Sequence, residues 1–171
     1  MWGHGYLLDT NIVAYWFDER RSEHERVVQH IQGLPDLTPL MISAITLGEI
    51  EYGIQVERSD TIKQEAYRAF ISANLPMVLD ITKATRIYYG SLRASVFEKY
   101  APNERRRRGL RPEQLIDPVT SRELGIQEND LWIAAQALEY NLVLVTNDRM
   151  DRIRDVCEDL QIENWAAHAS E

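Results

Sequence analysis

The sequence is poor in several residue types that characterise whole classes of protein. It has one cysteine among 171 residues, so no disulfide can form within the chain and nothing indicates an oxidising compartment. With only eight glycines and six prolines, and 44% hydrophobic residues, a disordered or fibrous chain is excluded. The first residues resemble no secretory signal, and no stretch approaches the roughly 18 apolar residues of a membrane span. We therefore expect a globular protein of the cytoplasm that does not bind membranes.

Lysine is also scarce, and the positive charge is concentrated in one segment. Three of the 19 basic residues are lysines, and the 27 acidic residues bring the net charge to −8. Segment 102–112 holds five arginines and one glutamate; it carries +4 and leaves −12 for the rest. An acidic body argues against broad, non-specific binding of nucleic acids, because phosphate neutralisation needs clustered Lys or Arg. It does not exclude a local basic contact beside a site whose acids are covered by metal.

Short apolar runs alternate with helical patterns along the chain. We predict strands at 6–8, 40–42, 77–79 and 142–145. We predict helices at 12–17, 22–31, 44–56, 61–73, 82–100 and 129–140. This order predicts an α/β layer fold with a mostly parallel sheet covered on both faces. A proline- and arginine-rich excursion at about 101–125 interrupts the pattern without marking a boundary, so we expect residues 1–171 to form a single domain.

Two aspartates follow predicted strands. Asp9 comes directly after the first strand, and Asp148 lies shortly after the last one. In a parallel α/β sheet both would lie at the carboxyl edge, where such folds bind ligands. Each aspartate could instead cap the helix that follows, since Asp is favoured at helix N-termini. The residues alone leave both interpretations open.

Two further acids occupy helical positions. Asp130 shares a helix face with Ile133 and Ala134, where an unpaired carboxylate is costly to bury. The alternative is an aspartate in the first turn that gains from the helix dipole. Glu49 stands in mid-helix, one turn after Ile45, and could equally be a solvated residue on the helix rim. If the four acids converge, their oxygen ligands suit Mg²⁺ or Mn²⁺, whereas the histidines lack the spacing of zinc ligands.

Four motifs in these places closely resemble those of the PIN-domain nucleases. They are Leu7–Ile12, Glu49–Gly53, Asn129–Ala135 and Leu144–Asp148. Within that family the chain is most similar to the VapC-type toxins of bacterial and archaeal toxin–antitoxin systems. The resemblance runs from about residue 5 to about residue 165. Each motif alone is weakly specific, but the four in order at suitable spacing form a fairly specific signature.

The resemblance implies a small three-layer α/β/α sandwich and cleavage of RNA that depends on Mg²⁺ or Mn²⁺. The residues that match the four metal-binding and catalytic acids of the family are Asp9, Glu49, Asp130 and Asp148. Asn11 and Thr146 match polar residues that flank the pocket, and Asp151 is a further acid that could contact metal or water. The resemblance also implies a homodimer and a cognate antitoxin that occupies or distorts the pocket.

The excursion is larger than the family pattern requires. Its arginines are Arg105, Arg106, Arg107, Arg108 and Arg111. They form either a solvated charge run that pairs with acids elsewhere, or a contact with the RNA backbone or with an acidic segment of the antitoxin.

Two other functions stay open at this stage. A phosphoaspartyl domain also gathers Mg²⁺-binding acids at the carboxyl edge of a parallel sheet. Its phosphatases need a second acid where this chain has Asn11, and its receivers need a late lysine, whereas none follows Lys99. The other alternative is a non-catalytic PIN-fold module that binds proteins, although four repelling carboxylates are costly without a cation.

Overall fold

The computed structural model describes residues 5–57, 60–102, 109–148 and 150–168. Within these ranges, five parallel strands form one sheet in the order β3-β2-β1-β4-β5. The strands are β1 (Tyr6–Leu8), β2 (Leu40–Ser43), β3 (Met77–Leu79), β4 (Val143–Val145) and β5 (Ile162–Glu163). The helices are α1 (Thr10–Phe17), α2 (His24–Gln32), α3 (Ala44–Val56), α4 (Thr61–Asn74), α5 (Thr85–Tyr100), α6 (Glu128–Tyr140) and α7 (Asp151–Arg154). No helix in the described ranges is long and apolar enough to cross a membrane.

The register of the central strand β1 brings three strand ends side by side. Leu8 pairs with Ile42 of β2 and with Val145 of β4, in parallel in both cases. The backbone N–H of Asp9 then donates to the carbonyl oxygen of Val145 at 3.0 Å. Residues that follow β1, β2 and β4 therefore lie together at the carboxyl edge, as the sequence predicts for Asp9 and Asp148.

Alternate residues of the strands face opposite layers of helices. Leu7 and Leu144 pack in one hydrophobic core with residues of α5 and α6. Leu8 and Val145 pack in a second core with residues of α1, α3 and α4. The two-residue alternation of a strand thus gives each face of the sheet its own core. The predicted α/β fold is confirmed as a three-layer sandwich, and its sheet is parallel in all five described strands.

The predicted elements agree with the structure to within about three residues at each end. Helix α1 begins at residue 10, two residues earlier than predicted, because the carboxylate of Asp9 accepts the backbone N–H of Thr10. Helix α5 begins at Thr85, three residues later than predicted, because the Thr82 hydroxyl accepts the N–H of Ala84 in a turn. The sequence does not predict β5 or α7, since such short elements carry no periodic signal.

The strand order separates this fold from the receiver domains. In receivers the order is 2-1-3-4-5, with the third strand beside the first. Here β1 lies between β2 and β4. The receiver alternative is therefore wrong.

The described part of the excursion is attached to the core beside the last strands. It contains one 3₁₀ turn (Pro112–Gln114) and an isolated antiparallel bridge between Ile116 and Glu123. The buried carboxylate of Asp117 accepts a hydrogen bond of 2.6 Å from the guanidinium of Arg152 in α7. This ion pair joins the excursion to the segment that follows β4.

Candidate metal and catalytic site

Asp9 lies at the centre of the carboxyl edge and is 4% exposed. Its Oδ1 accepts the N–H of Thr10 at 2.7 Å, so this aspartate does cap α1. Its Oδ2 faces β4, where it accepts the Thr146 hydroxyl at 2.7 Å. Asp9 can therefore cap α1 through Oδ1 while Oδ2 is directed into the site, so the capping and functional interpretations are compatible.

Asn11 bridges Asp9 to Asp148. Its side-chain nitrogen lies 3.5 Å from Oδ2 of Asp9 and 3.1 Å from Oδ2 of Asp148. Its side-chain oxygen accepts the backbone N–H of Asn147 at 3.0 Å, which holds the loop after β4 against α1. The backbone N–H of Asp148 in turn donates to the Thr146 hydroxyl at 3.0 Å. The predicted flanking residues, Asn11 and Thr146, thus position the two strand-end acids.

Asp148 is exposed and caps no helix. The helix that follows, α7, begins three residues later, and its N-cap residue is Met150. The capping alternative for Asp148 is therefore wrong. Among the described residues, Asn11 donates a hydrogen bond to its carboxylate.

Asp130 enters the site from the first turn of α6. Its Oδ2 accepts the N–H of Gln127 at 2.8 Å, so it also stabilises the helix start. Burial raises the pKa of Asp130 to about 7; the hydrogen bond from Gln127 opposes that shift, and the charges of Asp9, Asp148 and Glu49 add to it. The charged form of the Asp130 carboxylate is therefore unfavourable unless a proton or a cation binds to it.

The charged form of Asp9 is unfavourable for the same reasons. Burial raises its pKa to about 6, against the hydrogen bonds from Thr146 and Thr10, and the charges of Asp148 and Glu49 raise it further. Asp9 at the end of β1, Glu49 of α3, Asp130 of α6 and Asp148 of the loop after β4 thus lie close enough to repel one another. The structure therefore brings together the four acids of the predicted set.

Glu49 is held by two neutral donors. Its Oε2 accepts the Thr10 hydroxyl, and its Oε1 accepts the side-chain amide of Asn129 at 2.7 Å. These donors come from the first turns of α1 and α6. The solvated-rim interpretation of Glu49 is wrong, because the side chain is partly buried and both oxygens are bound within the chain.

The acids offer the kind of ligand that a divalent ion requires. All four acids offer carboxylate oxygens, the ligands that Mg²⁺ and Mn²⁺ prefer. In the part of the chain that the structure describes, no three His, Cys, Asp or Glu side chains are gathered into a ready ligand cluster. Burial raises the pKa of both Asp9 and Asp130, and the negative charge of the neighbouring carboxylates raises it further, so binding of a cation here would be favoured. The residues therefore fit a hard cation in chemistry and in charge.

The remaining predicted residues lie at the edge of the site or away from it. Asp151 begins α7, where its carboxylate pairs with Arg154 at 2.9 Å in an exposed position. It is not among the charges that raise the pKa of Asp9 or Asp130. Arg111 is exposed, immediately before the 3₁₀ turn. The other predicted arginines, Arg105, Arg106, Arg107 and Arg108, lie outside the described residues.

Sequence reasoning missed Thr10 and Asn129 as site residues. Each is the immediate neighbour of a predicted acid, and each stands in the first turn of a helix that begins at the carboxyl edge. That position could have identified both residues from the sequence, because a polar side chain in such a first turn lies at the same edge of the sheet as the acid beside it. The contact of both with Glu49 joins residues far apart in sequence and carries no local signal.

Two hollows adjoin the acids. One, of about 240 Å³, is lined by Asp130, Asp148 and apolar side chains that include Ile126 and Met150. The other, of about 630 Å³, runs along α3 from Glu49 to Tyr52. Asp130 and Asp148 thus line one hollow, and Glu49 lines the other.

Comparisons with known proteins match nearly the whole chain. The family model described as the PIN domain matches residues 6–158. Ribonuclease VapC2 of Rickettsia felis (strain ATCC VR-1525 / URRWXCal2) is 27% identical over 160 residues, which cover 94% of this chain and 97% of the relative.

Solved structures also match nearly the whole chain. The structure of VapBC2 from Rickettsia felis, bound to a DNA fragment from their promoter, has a TM-score of 0.67 at 26% identity; the match covers 94% of this chain and 98% of that chain. The structure of VapBC-1 from nontypeable Haemophilus influenzae has a TM-score of 0.66 at 25% identity and covers 95% of this chain and 98% of that chain.

Proposed function

Because this chain belongs to the PIN domain family, we propose that it is a divalent-metal-dependent endoribonuclease and the toxin of a toxin–antitoxin pair. The observation that carries this proposal is that Asp9, Glu49, Asp130 and Asp148 lie near enough at one edge of the sheet for their charges to raise the pKa of Asp9 and of Asp130. The similarity to a ribonuclease supports RNA as the substrate class. The phosphatase alternative lacks its second acid, since Asn11 occupies that position and binds both Asp9 and Asp148.

The proposed metal ligands are Asp9, Asp130 and Asp148, with Glu49 completing the set directly or through water. The chemistry that Mg²⁺ or Mn²⁺ supplies when bound is neutralisation of phosphate charge and activation of water as a nucleophile. In-line attack on the phosphodiester would leave a 5′-phosphate and a 3′-hydroxyl. Asp151 is proposed as an outer acid that contacts water rather than metal, because it already pairs with Arg154.

The chain's own residues prepare the site in two ways. Thr146 and Asn11 donate to the acids and fix the direction of their oxygens. Thr10 and Asn129 hold the Glu49 carboxylate at the edge of the acidic site, where it can orient an attacking water. These neutral donors position the carboxylates without removing their charge, so that the charge remains available to a cation.

An antitoxin protein is the proposed partner. The support is the similarity over 94–95% of the chain to toxins solved as VapBC complexes. A homodimer is also proposed, because the edge strand β3 exposes Met77 and Val78, which are apolar. We further propose that residues 1–171 act as one domain and that the protein works in the cytoplasm, where RNA is found.

The arginines of the excursion are proposed to contact the RNA backbone or an acidic antitoxin segment. Asp117 ties the excursion to Arg152, which follows Asp148 by four residues. Contact of these arginines with the RNA backbone would offset repulsion between the acids and the phosphates.

The proposal is tested with purified, partner-free protein and total RNA in Mg²⁺, in Mn²⁺ and in EDTA. We expect discrete fragments in at least one metal and none in EDTA. Induced expression is expected to arrest growth, and expression of Asp130→Asn is not. Absence of cleavage together with absence of thermal stabilisation by either metal would overturn the nuclease proposal and favour the protein-binding module.

A further inference from the structure

Helix α3 presents one face to the core and the opposite face to an open groove. The core face holds Thr46, Ile50 and Ile54, all of them buried. The groove face is a stripe at helical spacing, made of Ile45, Gly48, Glu49 and Tyr52. We call this surface the Tyr52 groove; Thr10 and Asn129 form its polar end beside Glu49.

Tyr52 is a large aromatic residue on the exposed side of α3. Its side chain is 72% exposed, although burial of an aromatic ring is strongly favourable. It lines the Tyr52 groove on one side and, on the other, a second hollow of about 590 Å³ along the end of α3. The ring therefore stands free between two open spaces.

The floor of the groove is also open. A Cβ atom built at Gly48 would have nothing within 4 Å, so the helix surface beside Glu49 is flat and bare. The groove has a volume of about 630 Å³, within the range of small-ligand sites. This open surface lies directly beside the Tyr52 ring.

The chemistry of the lining favours a base over other parts of a nucleic acid. Among the lining residues Glu49 alone is charged, and it is negative, so the groove repels a phosphate. The remaining lining is apolar, aromatic or neutral polar, which suits an uncharged base with a π face. The groove is continuous with the acidic site, because Glu49, Thr10 and Asn129 belong to both.

We propose that the Tyr52 groove binds the base of a nucleotide next to the scissile phosphate and that the Tyr52 ring is its stacking platform. This inference rests on the proposed ribonuclease function and adds a substrate-binding residue to it. With the phosphate at the acids, the neighbouring base reaches Tyr52, one helical turn beyond Glu49. Stacking of this kind accepts any base and holds the strand in single-stranded form.

The test is a thermodynamic cycle in which the Tyr52 ring and the RNA bases are removed separately and together. The protein is the full chain carrying Asp130→Asn, which prevents cleavage, in buffer with Mg²⁺. The probes are a short fluorescent oligouridylate, the matching oligoadenylate and a ribose-phosphate oligomer of the same length without bases. Binding is measured by fluorescence anisotropy for Tyr52→Ala, Tyr52→Phe and the control Tyr140→Ala. Tyr140 ends α6 just before β4 starts, so it lies at the opposite edge of the sheet.

We expect Tyr52→Ala to raise the Kd for the two base-carrying RNAs about tenfold and to leave the Kd for the base-free oligomer unchanged. Tyr52→Phe keeps the ring and is expected to stay within about twofold of the parent. Tyr140→Ala is expected to match the parent with every probe.

Three results would overturn the inference. If Tyr52→Ala binds base-carrying RNA as well as the parent does, the stacking role is wrong, while the retained binding leaves the nuclease proposal standing. If the variant keeps RNA affinity but becomes monomeric by light scattering, the groove is an interface between copies of the chain. If the Asp130→Asn parent binds no RNA, and the unsubstituted protein neither cleaves RNA nor is stabilised by metal, the proposed function itself fails.

Discussion

The side-chain amide of Asn129 donates a 2.7 Å hydrogen bond to Oε1 of Glu49, although the two residues are 80 positions apart. Asn129 belongs to the first turn of α6, directly before Asp130, and Glu49 belongs to the middle of α3. The contact therefore ties the one mid-helix acid of the site to the helix that carries another. It fixes where the Glu49 carboxylate lies relative to Asp130.

Removal of this amide should affect catalysis more than folding. We expect Asn129→Ala to lower kcat for RNA cleavage about tenfold and to change KM less, because Glu49 loses its orientation while the Tyr52 ring proposed to stack on the base is kept. The free energy of unfolding should fall by about 1 kcal/mol or less. Cleavage kinetics and urea unfolding measure the two effects.

The matched control is Asn74→Ala. Asn74 also donates its amide to one acceptor, the carbonyl oxygen of Phe70, but at the end of α4, away from the acids. The positioning role of Asn129 is contradicted if both variants cleave RNA at the same rate.

The pH dependence of stability follows from the raised pKa values of Asp9 (about 6) and Asp130 (about 7). In the unfolded chain both carboxyls return to the ordinary value of 3.8, so between about pH 4 and 7 the folded state binds more protons. In EDTA we therefore expect the free energy of unfolding to rise as the pH is lowered from about 8 to about 5.

Asp130→Asn provides the check on that assignment. The variant keeps an oxygen that can accept the N–H of Gln127, but it cannot titrate. Urea unfolding at several pH values should give a clearly flatter dependence for Asp130→Asn than for the parent. Equal slopes would show that Asp130 is not the group responsible.

The fold is largely predictable from sequence because its signals are local. The strands β1 and β4 are apolar runs that end in polar residues, and the helices between them have the spacing of one apolar face. Asp9 and Asp148 could be placed at one edge of the sheet because parallel strands all end on the same side. The two-residue strand β5 shows its place only through pairing with β4.

The site was less predictable than the fold, since its contacts join distant segments. The sequence shows that Glu49 shares a helix with Tyr52, but not that Thr10 and Asn129 bind its oxygens. Nor does it show that Asp117 pairs with Arg152, since loop geometry sets that contact.

The pair of Asp117 and Arg152 should hold the excursion against the segment after β4. The Asp117 side chain is 8% exposed and lies 2.6 Å from the guanidinium, which also faces the ring of Tyr100. Replacement of Arg152 by Met removes the charge partner and keeps an apolar stem. We expect backbone hydrogen exchange in 109–127 to become about tenfold faster, while exchange in α3 stays unchanged. Equal exchange in 109–127 would contradict this role.

The excursion arginines should contribute to the salt dependence of RNA binding. Replacement of Arg105, Arg106, Arg107, Arg108 and Arg111 by Gln should weaken binding and reduce the slope of log Kd against log salt. Anisotropy titrations of the Asp130→Asn protein at several salt concentrations give both quantities. If the slope is unchanged, these arginines do not contact RNA and are instead solvated or in contact with the antitoxin.

The most direct test of the central claim compares Asp130→Asn with the parent for cleavage and stability in the same preparations. Asp36→Asn, which removes one exposed acidic charge before β2, is the charge-matched control. The account predicts metal-dependent fragments with 5′-phosphates from the parent and from Asp36→Asn, and none from Asp130→Asn. It also predicts that Asp130→Asn is as stable as the parent or more stable by about 1–2 kcal/mol at pH 8, since repulsion among the acids is relieved. An Asp130→Asn protein that cleaves like the parent, or that fails to fold, would contradict it.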